Sequence, residues 1–137
     1  MPTIVGCRRE LHNFWWGELK VMRIAVSGAS GLIGSRLCLS LRRHEHEILP
    51  LIREGSKELF GTVFWNHAAR TVDMGKLERT DVVIHLAGKP LDQERWTTEV
   101  KKEIYASRIQ GTAFLSEALT RLKVPPHLMI SASASDH

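Results

Sequence analysis

The run Arg23-Ile24-Ala25-Val26-Ser27-Gly28-Ala29-Ser30-Gly31-Leu32-Ile33-Gly34 constrains this chain more than any other segment. Its first five residues read as a buried strand, and Ile33, Leu37 and Leu41 recur at steps of four, which predicts a helix with one apolar face. Between the two stands a turn with glycine at every third position. Gly28 suits a tight turn, Gly31 a close approach of backbone to ligand, and Gly34 close packing of helix on strand. Helix N-terminal amides point out of such a turn and the helix dipole favours negative charge, so it can cradle a pyrophosphate. The dipole supplies only about 0.3–1 kcal/mol, which leaves most of the grip to geometry and several backbone hydrogen bonds. Gly28, Ser30, Gly31, Leu32, Ile33 and Gly34 are therefore candidate cofactor-binding residues for a dinucleotide. A glycine-rich loop without a ligand is the alternative.

Strand and helix signals alternate along the rest of the chain. Strands are predicted at Glu47–Ile52, Gly61–Trp65, Asp81–Ala87 and Leu128–Ser133, although Pro50 removes a ladder donor from the first of these. Ile104, Arg108, Gly111, Leu115, Ala118 and Leu122 recur at steps of four and three, which predicts one long helix over Thr97–Lys123, stopped by Pro125-Pro126. Gly111 and Ala118 allow that helix close to a sheet. Arg108 is out of place unless its end of the face looks onto something polar. The alternation predicts an α/β fold, a Rossmann-type doubly wound parallel sheet with right-handed crossovers, truncated after the fifth strand.

Residues 1–21 show neither period, and Met22 is a natural beginning for a domain that opens on its first strand. Residues 1–21 are thus expected to be an N-terminal extension outside the core fold, with 22–137 the dinucleotide-binding domain. The alternative is a segment packed on the outside through Trp15 and Trp16. The last predicted strand would keep an unpaired outer edge, and open edges recruit other chains, so self-association through that edge is expected.

At 137 residues, with 43% hydrophobic and 25% charged, the composition fits one globular domain and excludes disorder and coiled coil. Cys7 and Cys38 are too few for a disulfide framework, and the compartment expected is the reducing cytoplasm. No apolar run approaches a membrane span. The net charge is +4, but the 19 Lys and Arg come in nothing longer than pairs, which describes a solvated surface rather than a nucleic-acid groove. His44-x-His46 has no third ligand nearby, so no metal is expected. Trp65 and Trp96 read as packing residues, and His85 as a hydrogen-bonded core histidine.

The glycine spacing is G-x-x-G-x-x-G, and His85-Leu86-Ala87-Gly88 closes the strand before the long helix. In both features the chain resembles the short-chain dehydrogenase/reductase superfamily, in its extended epimerase/dehydratase branch. An atypical epimerase family within that branch is matched more closely. The match runs through Phe64-Trp65-Asn66, Arg95-Trp96-Thr97, Lys102, Ile104, Ser107-Arg108 and Ile130-Ser131-Ala132-Ser133-Ala134. The resemblance implies NAD or NADP as cofactor, with Leu86, Ala87 and Gly88 beside it, and redox chemistry on an alcohol carbon of a sugar nucleotide or related small molecule. It implies Ser133 as the serine that hydrogen-bonds the substrate oxygen. A serine merely ending a strand is the alternative. The family's Tyr-x-x-x-Lys pair is absent: the one tyrosine is Tyr105, the residue four later is Ile109, and Ser135-Asp136-His137 departs from the usual continuation. Without that pair the hydride step lacks its general acid/base, so this chain alone is expected to be inactive.

Arg53 stands where dinucleotide folds place the group that meets the adenosine ribose. An arginine there accommodates the 2′-phosphate of NADP, whereas neighbouring Glu54 keeps NAD open, and a solvated Arg–Glu pair is the alternative. Arg108 reads as a phosphate or ribose contact or as one half of a salt bridge. Two functions follow: the cofactor-binding portion of an epimerase, dehydratase or reductase, or a non-catalytic NADP-binding sensor or scaffold.

Overall fold

Strand β2 (Arg23–Ser27) lies at the centre of the sheet because both of its faces are apolar. Ile24 and Val26 face one way and Ala25 the other, as the period of two requires. The computed structural model describes residues 2–6, 21–53, 61–87 and 97–132. In chain order they form β1 (Pro2–Gly6), β2, α1 (Leu32–Arg43), β3 (Glu47–Arg53), β4 (Val63–Asn66), β5 (Thr71–Val72), α2 (Met74–Leu77), β6 (Val82–His85), α3 (Thr98–Thr120) and β7 (Leu128–Ala132). The sheet order is β1-β7-β6-β2-β3-β4-β5. The five strands from β7 to β4 are parallel, and β1 and β5 flank them antiparallel. The chain therefore leaves β2 toward β3 and β4, then returns to its other side at β6. That reversal is a topological switch point, and it opens a crevice at the carboxyl ends of β2 and β6.

One apolar layer, built of Ile24, Val26, Ile48, Val82, Ile84 and Leu128, packs on α1 through Cys38, Leu37 and Leu41. The other sets Ala25, Leu49, Leu51, Val63, Val83 and Met129 against Phe114, Leu115, Ala118, Leu119 and Leu122 at the α3 end of the chain. Each large side chain so buried contributes about 1.5–3 kcal/mol. Burial pushes the Cys38 thiol pKa up, against the smaller opposing influence of Arg42. The Thr97 side chain caps α3 by accepting from the Val100 amide at 3.2 Å. Beyond the helix, the Glu78 carboxylate accepts from the amides of Lys123 and Val124 at 2.9 and 3.2 Å, which holds its pKa below the ordinary value.

Four features qualify or depart from the sequence expectation. The inward face of α1 is Gly34 and Cys38 with Leu37 and Leu41, while Ile33 is 70% exposed, because only glycine fits where the first turn crosses the preceding loop. Pro50 sits inside β3 opposite Val26, yet pairing with β4 begins only at Leu51, so at its level the strand has a neighbour on one side. β5 and α2 are too short for any period to announce them.

The fourth lies at the amino terminus. Within the segment expected to stand outside the core fold, Pro2–Gly6 pairs antiparallel with β7, Ile4 opposite Ile130. Thr3-Ile4-Val5 is a β-branched run, favourable for a strand but too short to show alternation. β1 thus occupies the edge expected to be open, and the case for self-association through that edge loses its premise.

Candidate functional site

At the end of β2 the backbone reverses at Gly28, whose φ of +72° lies in the left-handed region that glycine adopts without strain. A β-carbon on Gly28 would also stand 2.9 Å from the backbone of Leu86 and Ala87, so the turn packs directly on the segment that follows β6. The Gly28 carbonyl accepts from the Gly31 amide at 3.1 Å. That same oxygen would lie 3.3 Å from a β-carbon on Gly31 and 2.0 Å from one on Gly34. The three glycines thus fold the turn down onto itself.

The first helical hydrogen bond of α1 runs from Ser35 to the Gly31 carbonyl at 2.9 Å. Among the described residues the amides of Leu32, Ile33 and Gly34 have no acceptor, and Gly31, the N-cap, offers no side chain to cap them. No acidic residue occupies the first turn, and Arg42 and Arg43 sit in the last, as the helix dipole favours. Ser30, Gly31, Leu32 and Ile33 are exposed around these amides, whereas Gly34 is buried beneath them. The arrangement presents a row of uncompensated N–H donors to the crevice.

The wall across from the turn is Leu86–Ala87. Both amides donate to the buried Ser27 hydroxyl oxygen, at 3.1 and 3.2 Å, and the Ser27 hydroxyl lies 2.6 Å from Nδ1 of His85. His85 is 3% exposed, its ring stands at 86° to that of Trp65, and burial together with the charge of His67 pushes its pKa down to about 4. It is neutral at physiological pH. A β-carbon on Gly111 would meet Trp65 at 3.5 Å and His85 Nε2 at 3.8 Å, so glycine lets α3 close over this pair.

Arg53 ends β3, beside β2, opposite Trp65 of β4. Its side chain is exposed and has no hydrogen bond or ion pair among the described residues. Arg108 is half-buried on α3, one turn before Gly111. Because α3 runs from the carboxyl ends of the strands back to the start of β7, and Gly111 lies against His85 at the end of β6, that turn stands toward the carboxyl end of the sheet. Its side chain has no ion pair among the described residues, which leaves the salt-bridge reading without a partner there. Gly28, Gly31, Gly34, Leu86 and Ala87 come together, with Arg53 and Arg108 at the same end of the sheet. Gly88 and Ser133, like Glu54, Trp96 and the Trp15–Trp16 pair, lie outside the described residues.

His44 and His46 serve the backbone at the opposite end of α1, at Ser40 O and Met22 N respectively. Among the described residues no helix is long and apolar enough to cross a membrane. Ser27 is the residue that sequence reasoning missed. Its signal is a polar side chain ending an apolar strand, and it gains meaning only when β2 and β6 are set in register, Ser27 beside His85.

A doubly wound, mostly parallel sheet with a glycine turn at its switch point defines an α/β domain of the Rossmann type. More particularly, the chain belongs to the NAD dependent epimerase/dehydratase family, whose model matches residues 24–136. It is 36% identical over 114 residues to an epimerase family protein of Mycobacterium bovis, an alignment covering 81% of this chain and 36% of that protein. Among solved structures it is similar to a nucleoside-diphosphate sugar epimerase from Corynebacterium glutamicum (TM-score 0.68, 28% identity, 90% of this chain and 25% of that one). It is similar also to the human epimerase family protein SDR39U1, solved with NADPH (TM-score 0.61, 27% identity, 77% and 34%). The chain spans about a third of the length of the curated relatives it matches.

Proposed function

We propose that this chain is the dinucleotide-binding portion of a short-chain dehydrogenase/reductase-type epimerase, dehydratase or reductase, with NADP preferred and NAD accommodated. The observation that carries the reading is the row of amides at Leu32, Ile33 and Gly34, unpartnered among the described residues, above a turn packed too tightly for any β-carbon at Gly28 or Gly34. Those amides and Gly31 would hold the pyrophosphate, Leu86, Ala87 and Gly88 would flank the cofactor, and Arg53 would meet the 2′-phosphate. Arg108, toward the carboxyl end of the sheet and without an ion pair among the described residues, is read as a phosphate or ribose contact. A nicotinamide dinucleotide bound there supplies hydride exchange at an alcohol or carbonyl carbon of a small-molecule substrate. Ser133 would orient the substrate oxygen. Tyr105, the one tyrosine, is 70% exposed on α3 and has Ile109 rather than lysine one turn later, so within these 137 residues no tyrosine–lysine pair stands ready to move the proton. The 137-residue chain is therefore expected to bind without turnover in the cytoplasm, and the same gap supports a second reading as a non-catalytic NADP-binding sensor or scaffold.

Titration with both dinucleotides tests the assignment. A charge-assisted hydrogen bond is worth roughly 1.5–3 kcal/mol, which predicts a preference for NADP of roughly 10- to 150-fold. Arg53→Ala should abolish that preference by weakening NADP alone, whereas Gly31→Val should weaken both. Equal losses of NADP and NAD in Arg53→Ala would remove the basis for the NADP preference.

A further inference from the structure

We propose that Ser27 and His85 form a positioning pair that sets the Leu86–Ala87 wall of the dinucleotide site at its distance from the glycine turn. The inference rests on the dinucleotide reading above for its effect on affinity, but not for its geometry. A hydroxyl has two lone pairs and one hydrogen. The Ser27 oxygen accepts from the Leu86 amide at 3.1 Å and the Ala87 amide at 3.2 Å, so both lone pairs are used. Its hydrogen therefore points elsewhere, and Nδ1 of His85, at 2.6 Å, is the acceptor in reach. It follows that Nδ1 is unprotonated and that the neutral ring carries its proton on Nε2.

That far nitrogen is buried and, among the described residues, has no hydrogen-bond partner; it lies beside the Trp65 ring and Gly111 instead. Among the described residues the ring's one polar tie is thus to Ser27. The Leu86 amide has a second acceptor, the Ser27 carbonyl at 3.1 Å, but among the described residues the Ala87 amide has the hydroxyl alone. Ala87 is also where a Gly28 β-carbon would strike, at 2.9 Å. A chain of contacts therefore runs from the His85 ring through the Ser27 hydroxyl to the backbone against which the pyrophosphate turn rests. Were the ring to carry its proton on Nδ1, three N–H donors would compete for two lone pairs, and one amide of the wall would be released.

The experiment uses the full chain and three readouts. Ring 15N shifts of His85 at neutral pH should show Nδ1 unprotonated and Nε2 protonated; the opposite tautomer would overturn the pairing and needs no variant. NADPH titration should find His85→Leu, which removes the acceptor, roughly tenfold weaker, the loss expected for one hydrogen bond. His85→Asn, which restores an acceptor near Nδ1, should bind within roughly threefold of the parent on the same scale. Hydrogen exchange at the Ala87 amide should quicken in His85→Leu and not in His85→Asn. A folded His85→Leu with parental affinity and parental Ala87 exchange would sink the proposal. If the parent binds neither NADPH nor NADH, the dinucleotide reading fails instead, while the ring tautomer and the Ala87 exchange still decide whether the pair positions the wall.

Discussion

Replacing Gly34 by alanine sets two physical effects of opposite sign against each other. Gly34 lies in the first turn of α1, and on helix propensity alone alanine should gain about 1 kcal/mol over glycine. The added β-carbon, however, would fall 2.0 Å from the Gly28 carbonyl oxygen, 2.8 Å from its carbon and 3.0 Å from Cα of Ala29. All three are backbone atoms of the turn, so no flexible side chain can move aside. Relief needs α1 to shift by about an ångström, and overpacking of this kind costs about 1–3 kcal/mol, here at the upper end. The net expectation is a loss of about 2 kcal/mol and a melting temperature lower by about 8 °C for a chain of this size. Gly75→Ala in α2 is the control, since its β-carbon would meet nothing closer than the Asp73 side chain at 3.6 Å and should be neutral or stabilising. Urea and thermal denaturation of parent and both variants give the comparison. A Gly34→Ala protein as stable as the parent would refute the close packing of helix on turn.

Deleting residues 1–20 removes β1 from the β7 edge, so the shortened chain should melt a few degrees lower and associate at high concentration, as followed by light scattering; an unchanged, monomeric protein would return residues 1–21 to the status of an extension. His85 has a pKa of about 4 in the fold against about 6.5 when unfolded, so below neutrality the unfolded state takes up more protons. Its contribution, about 3 kcal/mol, is complete above pH 6.5 and drains away as pH falls toward 4, and a folded His85→Asn should show a correspondingly flatter pH–stability profile, with an unchanged slope counting against the burial account. Glu78→Gln should destabilise the α3–β7 connection at neutral pH, with the difference vanishing as pH drops through the carboxylate range; a difference independent of pH would mean that its charge is immaterial.

Local signals were the legible ones. The strand–glycine turn–helix unit depends on neighbours within about ten residues, and Gly28, Gly31 and Gly34 take the packing roles their spacing implies. The α3 face was legible because its core, from Ile104 to Leu122, keeps a helical period over many turns, with Gly111 closing onto Trp65 as a small residue must. Ile33 was misplaced because periodicity weighs hydrophobicity alone, and at the first turn of α1 the inward place belongs to the smallest residue. β1, β5 and α2 are shorter than any period needs. The tie between Ser27 and His85 joins residues 58 apart in the chain and exists only through strand register.

The most direct test is to titrate the 15N-labelled chain with NADPH and follow the amides at the start of α1. Saturable shifts at Leu32, Ile33 and Gly34, reproduced in the same three amides by inorganic pyrophosphate alone, are the predicted result. Binding that leaves those three amides unmoved, or no binding at all, would contradict the assignment of the glycine turn as the pyrophosphate cradle.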